Sequence, residues 1–232
     1  GESAAYRVLT KTARWGADHL SMRVAVSEAA RELAERYLGG DYTILFNGIE
    51  IDRYLRTDVK RVDQPTIFFC GRYEPRKGLE VLLEAMRHVR SPVRLVVAGS
   101  GPDESRLRDL ARERGVADRV TFEIRVPDER LHDLYRGALA VHYGPYDEDY
   151  GYVTLEAFLS EKPVVTATDS GGTLEFVVDG ENGYGCAPDA EAIGAAVSRL
   201  AGDPQLTARL GHAGLLRARM VTWDGVVEQL LG

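Results

Sequence analysis

Cysteine is nearly absent from this chain. Cys70 and Cys186 stand alone, with neither metal-ligand spacing nor a disulfide framework, so the sequence points to a reducing, cytoplasmic setting. No apolar run reaches the length of a membrane span, and no signal-peptide pattern opens the chain. Positive charge is also short: 29 basic against 36 acidic residues leave a net charge of −7, which argues against a general nucleic-acid binder. There is no internal repeat and no low-complexity stretch. What remains is 44% hydrophobic and 28% charged over 232 residues, the balance of a globular protein with room for one large domain, or one domain and part of another.

Short apolar strands alternate with amphipathic helices, which predicts an α/β fold with a doubly wound parallel sheet. The strand candidates are Thr66–Cys70, Val93–Ala98, Val120–Glu123, Ala138–Tyr143 and Val164–Thr166. Each is apolar almost throughout, as a strand covered on both faces must be. Leu79, Leu82, Leu83, Met86 and Val89 form one helical stripe, Leu107, Leu110 and Ala111 a second, and Leu131, Leu134 and Tyr135 a third. After 183–186 the pattern is wholly helical. Ile193, Ala196, Val197 and Leu200 face inward, Asp203-Pro204 opens the next helix, and Trp223–Leu231 closes the chain.

The first 46 residues read differently. Met22–Ser27 is expected to be a strand, with Ser27 capping a helix through Leu38 and Glu28 strengthening its first turn. Asn47-Gly48 reads as a tight turn. This strand has no sheet of its own to join, and a lone strand is unstable. Since the chain opens on Gly1 rather than Met, residues 1–46 are expected to be the tail and crossover of an upstream domain, 47–221 the main domain, and 222–232 a terminal helix. The apolar residues Leu9, Leu20, Val24 and Val26 are then expected either to pack back or to pair with a second chain as a homodimer.

Chemistry concentrates in the loops. Gly71-Arg72-Tyr73-Glu74-Pro75-Arg76-Lys77-Gly78 sets three cations between a strand end and a helix start. There Arg72 suits phosphate oxygens with its planar fork and Lys77 acts as a point charge, unless the loop is merely solvated. Gly99-Ser100-Gly101-Pro102-Asp103-Glu104 nearly matches a dinucleotide fingerprint, with Glu123 as its ribose acid. Glu104 replaces the third glycine, so a close backbone approach is the favoured reading. Asp147-Glu148-Asp149 suits either a hard cation or solvent. Beyond it, Gly151 marks a helix start and Glu156 follows about a turn and a half inside. A helix mouth favours phosphate, and the two acids suit the polyols at either end of a sugar nucleotide. His142 is either a ligand contact or a packed histidine, the packed role favoured; His19, His88, His132 and His212 read as surface residues. Asp169-Ser170-Gly171-Gly172-Thr173-Leu174-Glu175 is another loop, ligand-lining or simply a turn.

Together, over residues 22–231, these features resemble the C-terminal, donor-binding domain of a GT-B glycosyltransferase, specifically glycosyltransferase family 4 (group 1). Val26-Ser27-Glu28 resembles the end of its first domain. Phe46-Asn47-Gly48-Ile49-Glu50 resembles the crossover, with Phe46 where proline is usual. Gly71-Arg72 with Lys77-Gly78 resembles its phosphate loop, and Glu148 with Glu156 its E-x7-E motif. Gly171-Gly172 with Glu175, then Asp179-Gly180-Glu181-Asn182-Gly183, resemble its next two turns. The resemblance implies that Arg72, Lys77 and Glu148 act at the reacting end, with Glu148 on donor-sugar hydroxyls and Glu156 on the ribose. Gly71 and the backbone of Tyr150, Gly151, Tyr152 and Val153 would complete the donor cradle.

The implied activity is retaining transfer of a sugar from UDP or GDP to an acceptor, without a metal or other cofactor. Glu123-Ile124-Arg125 departs from the glycine usual near the base pocket, which leaves the base open. The acceptor site, and any peripheral membrane contact, would belong to the upstream domain. Residues 1–232 alone are therefore expected to bind a donor without transferring it. A sugar-nucleotide epimerase of the same architecture and a non-catalytic nucleotide-sugar-binding module are the alternatives.

Overall fold

Strands apolar on both faces can be stable only between two layers of helices, and the computed structural model places them there. It describes residues 4–55, 64–90 and 92–231, the first seven of these by backbone alone. The elements run α1 (Ala4–Ala17), β1 (Val24–Ala25), α2 (Glu28–Leu38), β2 (Thr43–Ile44), β3 (Thr66–Cys70), α3 (Leu79–Ala85), β4 (Arg94–Ala98), α4 (Glu104–Glu113), β5 (Val120–Glu123), α5 (Asp128–Gly137), β6 (Ala140–His142), α6 (Tyr152–Leu159), β7 (Val164–Ala167), β8 (Gly183–Cys186), α7 (Ala190–Gly202), α8 (Pro204–Ala218) and α9 (Trp223–Leu231).

Strands β3–β8 form one parallel sheet in the order β5-β4-β3-β6-β7-β8. On one face Leu79, Leu82 and Leu83 of α3, Leu107 of α4 and Ile193 of α7 cover Ile67 and Phe69. On the other, Tyr135 of α5, Leu155 and Phe158 of α6 and Leu215 of α8 cover Phe68 and Val141. Phe68 and Phe69 have no exposed surface, and burying each contributes about 1.5–3 kcal/mol. The chain steps outward from β3 through β4 to β5, then returns to lay β6 on the other side of β3. The carboxyl ends of β3 and β6 therefore diverge into one crevice, the switch point where ligands bind in open α/β sheets.

Three expectations are corrected and one strand is added. The strand near residue 25 does have a partner: Val24 and Ala25 pair in parallel with Thr43 and Ile44. The run 183–186, beyond which the chain is wholly helical as expected, is itself the edge strand β8, paired with β7. Asn47-Gly48 makes no turn; Gly48 is needed because a Cβ there would lie 2.4 Å from the Trp223 backbone nitrogen. His132 is no surface residue: it is buried, its ring edge-on to Tyr54 at 5.0 Å between centroids.

The amino-terminal segment docks through its helix end. Ser27 Oγ accepts from the Ala30 N–H at 3.0 Å, and Glu175 Oε1 accepts from the Glu28 N–H at 2.7 Å, so two otherwise unpaired donors of α2 are satisfied. Val26 packs on the core while Leu20 and Val24 are exposed; the side chain of Leu9 lies outside the described residues. No helix among the described residues is long and apolar enough to cross a membrane.

Candidate functional site

The loop after β3 contains a short 3-10 turn, Pro75–Lys77, and the loop after β6 runs to the mouth of α6. Across the crevice between them Lys77 Nζ meets Glu148 Oε2 at 2.5 Å, both side chains about four-fifths buried. The same oxygen accepts from the Tyr143 hydroxyl at 3.1 Å. Lys77 Nζ also stands 5.8 Å from the centre of the Tyr143 ring, within the reach of a cation–π contact. Two of the residues singled out in the sequence are thus direct partners, and Tyr143, which was not among them, joins the pair.

The Glu148 loop is held by backbone. Asp147 takes φ +49, a left-handed conformation that aspartate tolerates. Its N–H donates to Asp169 O at 2.9 Å, and its carbonyl accepts from Arg76 at 2.8 Å. The Gly172 N–H donates to Glu148 O at 2.6 Å, so the 169–175 segment is a brace under Glu148. The acidic triplet splits: Asp147 and Asp149 face solvent while Glu148 turns inward. Among the described residues no three His, Cys, Asp or Glu side chains gather as a metal would need.

Gly151, at φ +86, caps α6 without a side-chain bond, leaving a positive, donor-rich mouth beside the Lys77–Glu148 pair. Tyr152 stands partly exposed at the mouth, Val153 packs on the core from its first turn, and Tyr150 is turned away, its hydroxyl donating to Asn47 O at 2.5 Å. Glu156, in the second turn, accepts from Tyr54 at 2.8 Å and from Tyr135 at 2.5 Å. Burial first pushes both phenols well above their ordinary range, with the Glu156 charge next for Tyr54 and following Cys70 for Tyr135, so they remain protonated donors. Arg72 joins neither cluster: it is largely exposed and pairs with Glu74 at 2.9 Å.

Gly99 and Gly101 serve a close approach. A Cβ on Gly99 would fall 1.9 Å from Gly71 O, and one on Gly101 2.6 Å from the Tyr73 nitrogen. Glu123, the residue a dinucleotide site would use, is instead held by both arms of Arg130, at 2.7 and 3.1 Å. Tyr54, Tyr135 and Tyr143 are the site residues that sequence reasoning missed. Their signal was a tyrosine excess, 11 against 6 phenylalanines, in a chain where buried hydroxyls need acceptors.

His142, at the end of β6, is buried, and burial depresses its pKa to about 4 against a weaker opposing contact with the Val165 backbone. A depressed histidine favours its neutral form, so its stabilisation is whole above about pH 6.5 and is lost as pH falls toward 4. Urea unfolding of the wild type should lose stability across that window by up to about 1.4 kcal/mol per pH unit from this group. His142→Gln should flatten that portion of the profile; an unchanged slope would assign it elsewhere.

A family model for glycosyl transferases group 1 matches residues 51–217. The chain is 36% identical over 185 residues to the D-inositol 3-phosphate glycosyltransferase of Acidothermus cellulolyticus, covering 74% of this chain and 41% of that protein. It is 33% identical over 220 residues to the phosphatidyl-myo-inositol mannosyltransferase of Mycobacterium leprae, covering 90% and 57%. The chain thus spans about half the length of these curated relatives. Among solved structures, HepE of Anabaena in complex with UDP and glucose superposes with a TM-score of 0.86 at 22% identity, over 97% of this chain and 65% of that one. Such a likeness establishes the fold.

Proposed function

The chain belongs to the group 1 glycosyl transferases, and from that membership we propose that it is the donor-binding part of a retaining, metal-independent enzyme that transfers a sugar from UDP or GDP to an acceptor. The observation that carries this reading is the meeting of Lys77 and Glu148 at the sheet's switch point, beside the mouth of α6. The diphosphate would lie against Lys77 and the helix mouth, with Arg72 approaching from solvent. The sugar hydroxyls would take Glu148, and the ribose hydroxyls would take Glu156.

In this reading catalysis is electrostatic. Charge grows on the diphosphate as the sugar departs, and a fixed ammonium and aligned N–H groups stabilise it without reorganising. Closure of a second lobe excludes water and aligns the reactants, so residues 1–232 alone bind the donor and do not transfer it. The domain limits proposed are 1–46 for the tail and crossover, 47–221 for the binding domain and 222–232 for the last helix.

Calorimetric titration with UDP and GDP, with and without Mg²⁺, tests the reading. One of them should bind, and magnesium should leave its affinity unaltered. Failure of both, or a requirement for the metal, would overturn the proposal. Glu148→Gln releases Lys77 from its ion pair, so free nucleotide should bind about two- to fivefold tighter, the range of a partly exposed pair. The preference for nucleotide sugar over free nucleotide should fall in the same variant. Equal weakening of both ligands would contradict the sugar role of Glu148.

A further inference from the structure

We infer that Tyr143 is a positioning residue of this site, which holds the Glu148 carboxylate when a diphosphate draws Lys77 away. The inference rests on the nucleotide-sugar reading above. Its hydroxyl and the Lys77 ammonium donate to the same atom, Glu148 Oε2, at 3.1 and 2.5 Å. Its ring lies under the site's other parts. Lys77 Nζ stands 5.8 Å from its centre, and a Cβ on Gly151, the cap of α6, would come within 3.2 Å of its edge. Tyr143 itself is almost wholly buried, and its N–H donates to Val165 O at 3.0 Å, so the ring cannot follow a moving partner.

The shared oxygen has a consequence. Glu148 is about four-fifths buried, and a largely buried carboxylate stripped of its donors is costly. With Tyr143 in place, Lys77 can turn to phosphate oxygens while Glu148 keeps one donor and its second oxygen faces the sugar. The phenol is suited to this. Burial first, then the Glu148 charge, raises it above its ordinary range, so it donates rather than ionises. Without the hydroxyl, Glu148 holds Lys77 alone, and nucleotide must compete with an undivided ion pair.

The test is a double-mutant cycle on Tyr143→Phe and Glu148→Gln, read as the dissociation constant of UDP or GDP, whichever the wild type binds more tightly. Phenylalanine preserves the ring and its packing. Tyr143→Phe should weaken nucleotide binding about tenfold with Glu148 present, the scale of one hydrogen bond to a charged group, and less than twofold in Glu148→Gln. Equal losses in both backgrounds would mean that the ring's shape alone matters and would overturn the inference, as would no loss in either. If neither nucleotide binds the wild type, the proposed function fails. The same cycle read by urea unfolding then decides the contact, where additivity refutes it and coupling supports it.

Discussion

Lys77→Ala is expected to weaken UDP or GDP binding by about ten- to a hundredfold, the value of one hydrogen-bonded charge in a partly dry site. The side chain is largely buried at the crevice of β3 and β6 and already touches an anion, the Glu148 carboxylate, so it is preorganised for another. Arg72→Ala should cost less, about two- to fivefold. Its side chain is 73% exposed and paired with Glu74, and water and salt screen a charge so placed. Titrations of both variants at low and high salt separate the two cations. The Arg72 contribution should shrink as salt rises, and that of Lys77 should persist. Unchanged affinity in Lys77→Ala would remove the anion from this crevice.

The second large effect is expected at a residue with no side chain. Gly171 stands at φ +54, and a Cβ there would lie 2.5 Å from Glu148 O and 2.8 Å from Glu148 N. The left-handed backbone alone costs an L-residue about 1–2 kcal/mol, and here the methyl also meets rigid main chain. Gly171→Ala should lower unfolding free energy by about 2–4 kcal/mol, in the upper range for single substitutions. It should also abolish sugar discrimination, because the loop that must give way carries Glu148. Gly180→Ala is the control: its φ is +72, but its Cβ would meet nothing within 4 Å. It should carry only the backbone penalty and leave binding intact. Equal damage from the two would mean that the clash at Glu148 is without consequence.

The sheet was legible in the sequence where strands are apolar on both faces. β3 and β5 have the expected limits, and β4, β6 and β7 differ by one or two residues at their ends. β8 escaped notice because Gly183-Tyr184-Gly185-Cys186 carries no β-branched residue, and pairing with β7 along an edge supplies its order instead. Tertiary packing also overrode local chemistry at Asn47-Gly48, where glycine serves a contact with Trp223. His132 was misread because a histidine on a polar helix has no local sign of the tyrosine ring that covers it.

The sequence by itself determined which groups are candidates for the chemistry: a lysine after one strand, two glutamates around a helix mouth, and glycines where backbone must come close. Local pattern sets those features, since strand period, cap and turn depend on near neighbours. Only the tertiary structure decided how the groups are shared. Lys77 and Glu148 are 71 residues apart, Tyr54 and Glu156 are 102 apart, and no spacing rule predicts contacts at such range. They meet because the chain reverses its winding between β5 and β6, which lays β6 beside β3. There the buried phenols must find acceptors, and they find the two carboxylates, so that neither glutamate stands alone.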